Sequence, residues 1–237
     1  MLSSARELES SAGAIRGELV GTLTIGCFDT LSPWLLPPVL DYFAERHPRV
    51  EVLVVEASSD ELQRRLQGGE LDAAFMYQLH VETDLECAQV AAVRLQMVLP
   101  ADHRLAARDV VHFAELGDEP AVLLGLKPAP DLITAMMRAA GFTPNVRWRL
   151  RSVETIRSVV GRGLGYTVIM GRPSGDLTYD GHKLVYKRIA DALPENSVQL
   201  VFPLGSLGNA KVRALRDFAT SELGESVAPM QRAAPDA

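Results

Sequence analysis

The sequence predicts an α/β fold made of two lobes, and three observations lead to this prediction. Between Gly17 and Met76, strand-like and helix-like segments alternate in the order βαβαβ, which favours a parallel, doubly wound sheet. A similar alternation resumes after the polar segment 100–109. The length of 237 residues allows either one large domain or two small ones.

The first strand and helix are indicated by hydrophobic periodicity. The segment "LVGTLTIGC", 19–27, alternates apolar residues with polar or small ones, as a strand does. Apolar residues at helical spacing follow from Leu35 to Phe43, and His47-Pro48 ends that helix.

The rest of the first lobe continues the same order. "VEVLVVE", 50–56, is a β-branched run of the kind that is buried on both faces of a parallel sheet. Residues 58–60 offer N-caps to a short helix that Gly68-Gly69 closes, and "LDAAFM", 71–76, is the third strand.

The second lobe repeats this logic after two further strand-like pieces at 85–93 and 94–99. Its predicted helices are at 112–116, 131–140 and 153–162, and its strands at 121–125, 146–151 and 166–170. Two late strands, 183–189 and 198–203, precede an amphipathic helix with Val212, Leu215 and Phe218 on one face. A late strand can carry the chain back to the first lobe, and a cleft is then expected between the lobes.

Composition and charge exclude some classes of protein. A net charge of −6 and a pI of about 5.4 lack the basic footprint of a nucleic-acid-binding surface. No apolar run reaches the ~18 residues of a membrane-spanning helix, and the first residues lack the apolar core of a secretory signal. We therefore expect a cytoplasmic protein without membrane contact.

Few features of the sequence support catalysis or metal binding. Five histidines are scattered singly, and no nucleophile motif, P-loop or zinc motif occurs, so neither a metal nor a cofactor is predicted. Cys27 and Cys87 form no CxxC pair, and we interpret both as small, semi-buried hydrophobic residues rather than redox sensors. The acids Asp118 and Glu119 are expected on a solvated surface.

Two further motifs have structural interpretations. "GRGLG", 161–165, closes a helix and opens a strand, whereas a dinucleotide-binding loop does the reverse, so a helix cap and tight turn are predicted. "RWRLR", 147–151, alternates charged and apolar residues as a half-exposed strand does.

Hydroxyl-bearing residues stand where helices begin. Thr30 and Ser32 follow the first strand, Ser58 and Ser59 follow the second, and Ser152 with Thr155 begins a helix of the second lobe. Ligands bind at the carboxyl ends of strands in open parallel sheets, and helix N-termini favour small anions. N-capping explains each residue singly about as well as ligand binding does.

At this point the sequence resembles the effector-binding domain of LysR-type transcriptional regulators. The resemblance rests on G-x-L-x-I-G from Gly21, "LP" before the first helix, F-x-x-x-x-P-x-V from Phe43, a Glu that closes the second strand, and L-x-x-G-x-L-D from Leu66. It is specific over Gly21–Phe75 and continues more loosely to the last predicted helix. Met170 and Gly171 depart from it, because the family commonly has a Pro after that strand, and segment 172–191 is longer than in many members.

The resemblance implies a periplasmic-binding-protein-like fold of two Rossmann-like subdomains joined by two crossover segments, with a small effector in the cleft. It implies subdomain I at 19–99 and 202–225, subdomain II at 100–201, the end of a linker helix at 1–18 and a flexible tail at 226–237. The implied effector contacts are Asp29, Thr30, Leu31, Ser32, Ser58, Ser59, Gly125, Leu126, Ser152, Thr155 and Thr167.

The resemblance also implies partners. These are a small, anionic effector, a second copy of the chain in a homodimer or homotetramer, and promoter DNA through an N-terminal domain that this chain lacks. Two alternatives remain open: a solute-binding protein of a transporter, and an enzyme on the same bilobed fold.

Overall fold

The computed structural model describes residues 18–81, 85–171 and 175–224. Unit 1 consists of the chain up to Ala91 together with the segment from Ser197, and unit 2 consists of Ala92–Asn196. The predicted tail at 226–237, and the predicted linker helix at 1–18 except for Glu18, lie outside the described residues.

Strands and helices alternate through the first half of the chain. The elements are β1 (Gly21–Phe28), α1 (Ser32–Arg46), β2 (Val50–Ala57), α2 (Ser59–Gln67), β3 (Ala73–Tyr77), a 3-10 helix (Gln78–His80), β4 (Glu86–Val93), β5 (Leu95–Pro100), β6 (Val110–Val111) and a 3-10 helix (Phe113–Leu116).

The second half continues the alternation. Its elements are β7 (Pro120–Leu124), α3 (Ala129–Ala139), β8 (Asn145–Leu150), α4 (Val153–Gly161), β9 (Thr167–Met170), β10 (Leu184–Ile189), β11 (Asn196–Phe202), a 3-10 helix (Ser206–Gly208), α5 (Ala210–Phe218) and a π-helical turn (Ala219–Leu223).

Unit 1 is built on a sheet of strand order β2-β1-β3-β11-β4. β1 pairs in parallel with β2 and with β3, whereas β11 runs antiparallel to β3. This confirms the predicted parallel βαβαβ order and the return of a late strand to the first sheet. Because β1, β2 and β3 are parallel, the residues that follow them, 29–32, 58–60 and 78–80, lie at one edge, which we call the carboxyl edge of unit 1.

Helix α2 packs closely on the centre of this sheet. A Cβ at Gly26 of β1 would lie 2.7 Å from Leu62 Cδ2 and 2.8 Å from Leu71 Cδ1. A larger residue at position 26 would therefore force the helix away from the strand, and the space that glycine leaves is what lets Leu62 be fully buried.

Two expectations about burial in unit 1 were wrong. β2 is an edge strand, so Glu51 and Glu56 are exposed and Leu53 retains 45% of its surface, although the β-branched run predicted burial on both faces. Cys27 is fully buried, whereas Cys87 on β4 is exposed rather than semi-buried.

Unit 2 contains a four-stranded sheet of order β6-β10-β5-β9 and a parallel pair, β7 and β8. A parallel bridge between Ala121 and Tyr166 connects β7 to the residues that enter β9. The approach depends on Gly165, where a Cβ would lie 2.1 Å from the Pro120 carbonyl oxygen. The segment 161–165 is thus a helix end and turn, as predicted, and β8 has the predicted alternation of exposed and half-buried residues.

A buried arginine of α4 holds the loop that precedes β10. Arg157 is 4% exposed and donates hydrogen bonds to the carbonyl oxygens of Gly175 (2.6 Å) and Leu177 (2.9 Å) and to Tyr186 Oη (2.9 Å). It also pairs with Glu154 at 2.6 Å. The sequence pattern gave no sign of this anchor. None of the helices in the described ranges is long and apolar enough to cross a membrane.

Candidate functional site

The carboxyl edge of unit 1 contains two hydrogen-bonded pairs, each with one buried member and one accessible member. Thr30 Oγ1 lies 3.3 Å from Tyr77 Oη, and Ser59 Oγ lies 2.8 Å from His80 Nδ1. Tyr77 and Ser59 are buried, with 4% and 0% of their surface exposed, whereas Thr30 and His80 are half-buried. Solvent therefore reaches this edge through Thr30 and His80.

Aromatic rings hold these pairs in place. The ring of Phe28, at the end of β1, packs edge to face against the rings of Tyr77 and His80. The ring centroids lie 5.8 Å and 5.2 Å apart, respectively. The rings of Tyr77 and His80 lie 5.5 Å apart, also edge to face. Trp34 Nε1 donates to the Thr30 carbonyl oxygen at 3.2 Å. We call Phe28, Thr30, Ser59, Tyr77 and His80 the aromatic-hydroxyl cluster.

The titratable groups of the cluster are uncharged at neutral pH. Burial lowers the pKa of His80 to about 4, and the Asp60 carboxylate offsets this only in part. Burial also raises the pKa of Tyr77 well above its usual range. At neutral pH the cluster therefore offers hydroxyl groups and a neutral imidazole.

Carboxylates act on two titratable groups at this edge. Burial raises the pKa of the Cys27 thiol to about 12, the neighbouring Ser32 hydroxyl lowers it, and the carboxylates of Glu56 and Asp29 raise it further. Asp60, in the first turn of α2, acts on His80. A negative charge in this turn offsets part of the positive end of the helix dipole, which otherwise favours an anion.

The remaining predicted contacts in unit 1 have different roles. Leu31 is buried at the N-cap position of α1, and the buried Ser32 hydroxyl has no nitrogen or oxygen partner among the described residues. Asp29 is half-buried. Ser58 is the N-cap residue of α2, yet its side chain makes no capping hydrogen bond, contrary to prediction.

In unit 2 the predicted contacts are more scattered. Gly125 follows β7, and its N–H donates to the Leu150 carbonyl oxygen at 2.7 Å, while Leu126 is buried. Ser152 Oγ accepts a hydrogen bond from the Thr155 N–H at 3.3 Å, so it caps α4 as the sequence predicts. Thr167 is fully buried and its hydroxyl has no partner among the described groups.

An open pocket of about 280 Å³ lies elsewhere in unit 2, lined in part by Glu119, Arg147 and Leu164. None of the predicted effector contacts lines it. Glu119 was expected on a solvated surface, but it binds His103 Nε2 at 2.7 Å and Arg104 at 2.6 Å. It thereby fixes the 101–108 loop to the start of β7.

Sequence reasoning missed Tyr77 and His80. They follow Thr30 by 47 residues and Ser59 by 21 residues, so no local motif links the partners. Their position in the chain could have indicated them, because both residues lie at the carboxyl end of β3, the third of three parallel strands. Within the described ranges, no group of three or more His, Cys, Asp or Glu side chains is placed to hold a metal ion.

Two α/β units that the chain joins through β4 and β11 define the periplasmic-binding-protein-like class of domains. A family model for the LysR substrate binding domain matches residues 16–224. The chain belongs to this family.

Relatives agree with this assignment. The chain is 26% identical over 215 residues to the uncharacterised HTH-type transcriptional regulator YvbU of Bacillus subtilis (strain 168), which covers 90% of this chain and 71% of YvbU. The alignments to YybE of Bacillus subtilis (strain 168) and to ShiR of Corynebacterium glutamicum (strain R) span 51% and 58% of those proteins.

Solved structures agree as well. HinK, a LysR family transcriptional regulator from Pseudomonas aeruginosa, is 29% identical with a TM-score of 0.80, and the match covers 95% of this chain and 77% of HinK. The C-terminal domain of a probable LysR family regulator from Rhodococcus sp. RHA1 is 35% identical with a TM-score of 0.81, over 86% of this chain and all of that one.

Proposed function

We propose that this chain is the effector-sensing part of a LysR-type transcriptional regulator and that a small molecule binds at the carboxyl edge of unit 1. The observation that supports this most is the aromatic-hydroxyl cluster, which places accessible polar groups of Thr30 and His80 where parallel sheets bind ligands. We propose that the predicted contacts of unit 2 at the ends of β7 and β8 bind the same molecule. The interlobe cleft itself stays a prediction.

The proposed mechanism is a shift of population. An effector that binds one conformation of the domain more tightly than another shifts the equilibrium by its difference in affinity. We propose that the full regulator acts in the cytoplasm. There the shift in population changes how a DNA-binding domain outside this chain binds its promoter.

We propose sensing rather than catalysis. A Ser and a His within hydrogen-bond distance can form an activated nucleophile, but that arrangement needs a basic imidazole and an accessible hydroxyl. Burial lowers the pKa of His80 to about 4, and Ser59 is fully buried. The pair is therefore unsuited to that chemistry.

The test is a thermal-shift screen of small metabolites on the purified chain, followed by titration of each hit. We expect a Thr30→Ala, His80→Ala double variant to weaken binding of the hit at least tenfold, because it removes both accessible polar groups. Thr220→Ala, at an exposed residue of the π-helical turn outside the carboxyl edge, is the matched control, and it should bind as the wild type does. Unchanged affinity in the double variant would remove this edge from the effector site.

We also propose that the chain pairs with a second copy of itself. The exposed Leu53 on edge strand β2 and the 40% exposed Leu40 on α1 support this, because apolar side chains on a strand edge favour association. Light scattering at increasing protein concentration should show a dimer that Leu53→Lys disrupts, whereas Leu204→Lys, at a residue 74% exposed, should not disrupt it. A wild-type protein that stays monomeric at every concentration would contradict the pairing.

A further inference from the structure

We propose that the carboxyl edge of unit 1 recognises an uncharged hydrogen-bonding group of the effector, that it disfavours an anion, and that His80 rather than Ser59 makes the contact. This inference rests on the proposed function and specifies the chemistry of the group that this edge accepts.

Exposure separates the two members of each hydrogen-bonded pair. Ser59 is fully buried and its hydroxyl already engages His80 Nδ1 at 2.8 Å. His80 is half-buried, and Nε2 is the ring nitrogen that Ser59 does not use. Ser59 is thus a positioning residue that fixes the His80 ring, and the imidazole is the group that a ligand can reach. In the other pair, Thr30 is the accessible member and Tyr77 the buried one.

Anions normally bind at the start of a helix through its free N–H groups, and α1 offers few of these. Pro33 in the first turn of α1 has no N–H to offer. The N–H of Leu31 donates to the Phe28 carbonyl oxygen, and those of Trp34 and Leu35 donate to the Leu31 carbonyl oxygen. The first turn of α1 is therefore poorly equipped to bind a carboxylate or phosphate.

The charge that acts on His80 is negative, because it belongs to the Asp60 carboxylate. An effector anion placed beside His80 would be repelled by this carboxylate and would gain no cation from the aromatic-hydroxyl cluster. A neutral amide or hydroxyl group can instead exchange hydrogen bonds with the Thr30 hydroxyl and the imidazole.

The test compares three aryl probes of matched shape, benzamide, benzoate and benzylamine, because the rings of Phe28 and Tyr77 border the site. The purified chain with isotope-labelled histidine is titrated at pH 7.5, and NMR follows the ring signals of all five histidines. The His80 signal is assigned from the spectrum of His80→Gln. We expect benzamide to move the His80 signal with a dissociation constant at least tenfold lower than that of benzoate or benzylamine.

Variants separate contact from positioning. His80→Ala should lose at least tenfold in benzamide affinity, while His80→Gln, which keeps an uncharged polar group, should recover part of the loss. Ser59→Ala should weaken benzamide severalfold, because the ring is no longer held. His112→Gln, at an exposed residue of unit 2, is the control and should bind as the wild type does.

The outcomes distinguish this inference from the proposed function. If benzoate or benzylamine moves the His80 signal at an equal or lower concentration than benzamide, the edge binds ligands but the proposed selectivity is wrong. If none of the three probes moves the His80 signal, this inference fails, whereas the proposed function is decided separately by the metabolite screen and the Thr30→Ala, His80→Ala variant. Unchanged benzamide affinity in His80→Ala, with folding intact, would overturn the role given to the imidazole.

Discussion

Burial disfavours the protonated form of His80. Its ring lies against Phe28 and Tyr77, and Nδ1 meets the buried Ser59 hydroxyl. Asp60 is the charged group that acts on it, and burial outweighs this carboxylate, so the pKa falls to about 4. The folded protein therefore keeps His80 neutral at pH values where an unfolded chain would protonate it.

A pH dependence of stability follows from this difference. An ordinary His has a pKa of about 6.5, so as pH falls from 6.5 towards 4 the unfolded chain binds a proton at residue 80 and the folded chain does not. As the pH falls from 7 to 5, the contribution of His80 should lower the free energy of unfolding by about 2 kcal/mol. This loss of stability should level off below pH 4, where the folded chain binds the proton as well.

Urea unfolding of the wild type and of His80→Gln at pH 7 and pH 5 measures this effect, because Gln does not titrate and other groups cancel in the comparison. The stability of the variant should fall less with pH than that of the wild type. An equal fall in both proteins would contradict the assigned cause.

At the residue scale, the sequence predicts two of the five residues of the aromatic-hydroxyl cluster. Thr30 and Ser59 stand at predicted helix starts, at the carboxyl ends of parallel strands. Tyr77 and His80 follow the third strand and begin no predicted helix, so the same pattern does not indicate them. Burial could not be read from the sequence either, and it decides that Ser59 is internal while His80 is accessible.

At the scale of elements, two serines at helix starts behave differently. Ser152 accepts a hydrogen bond from the Thr155 N–H, whereas Ser58 makes no such bond at the start of α2. Ser152→Ala should lower the free energy of unfolding by about 1 kcal/mol. Ser58→Ala is the matched control and should change it by less than about 0.5 kcal/mol. Equal effects in chemical denaturation would show that the capping bond is not the cause.

The strands show why composition alone misleads. The run 50–56 has the β-branched residues of a central strand, yet β2 lies at the edge of its sheet and exposes Leu53. Periodicity identifies a strand, but its neighbours are set by contacts distant in sequence, such as the pairing of β11 with β3. The glycine turn at 161–165 was predictable because its chemistry is local.

For the whole molecule, alternation of strands and helices was enough to predict two α/β lobes and a late strand that returns to the first. The chain leaves unit 1 within β4 and returns at the start of β11, which the structure places between Ala91 and Ala92 and between Asn196 and Ser197. The amino-acid composition does not change where the chain passes from one unit to the other, because β4 and β11 continue through these points. The family likeness added the role of the domain, while the chemistry at the carboxyl edge came from the side-chain contacts.

The most direct measurement of the proposed function is a chemical-shift map of the labelled chain during titration with a hit from the metabolite screen. We expect the largest changes at Thr30 and His80 in unit 1 and at Gly125 and Ser152 in unit 2, all within one binding curve. Changes confined to the pocket beside Arg147 and Leu164, with the carboxyl edge of unit 1 unmoved, would contradict the proposed effector site.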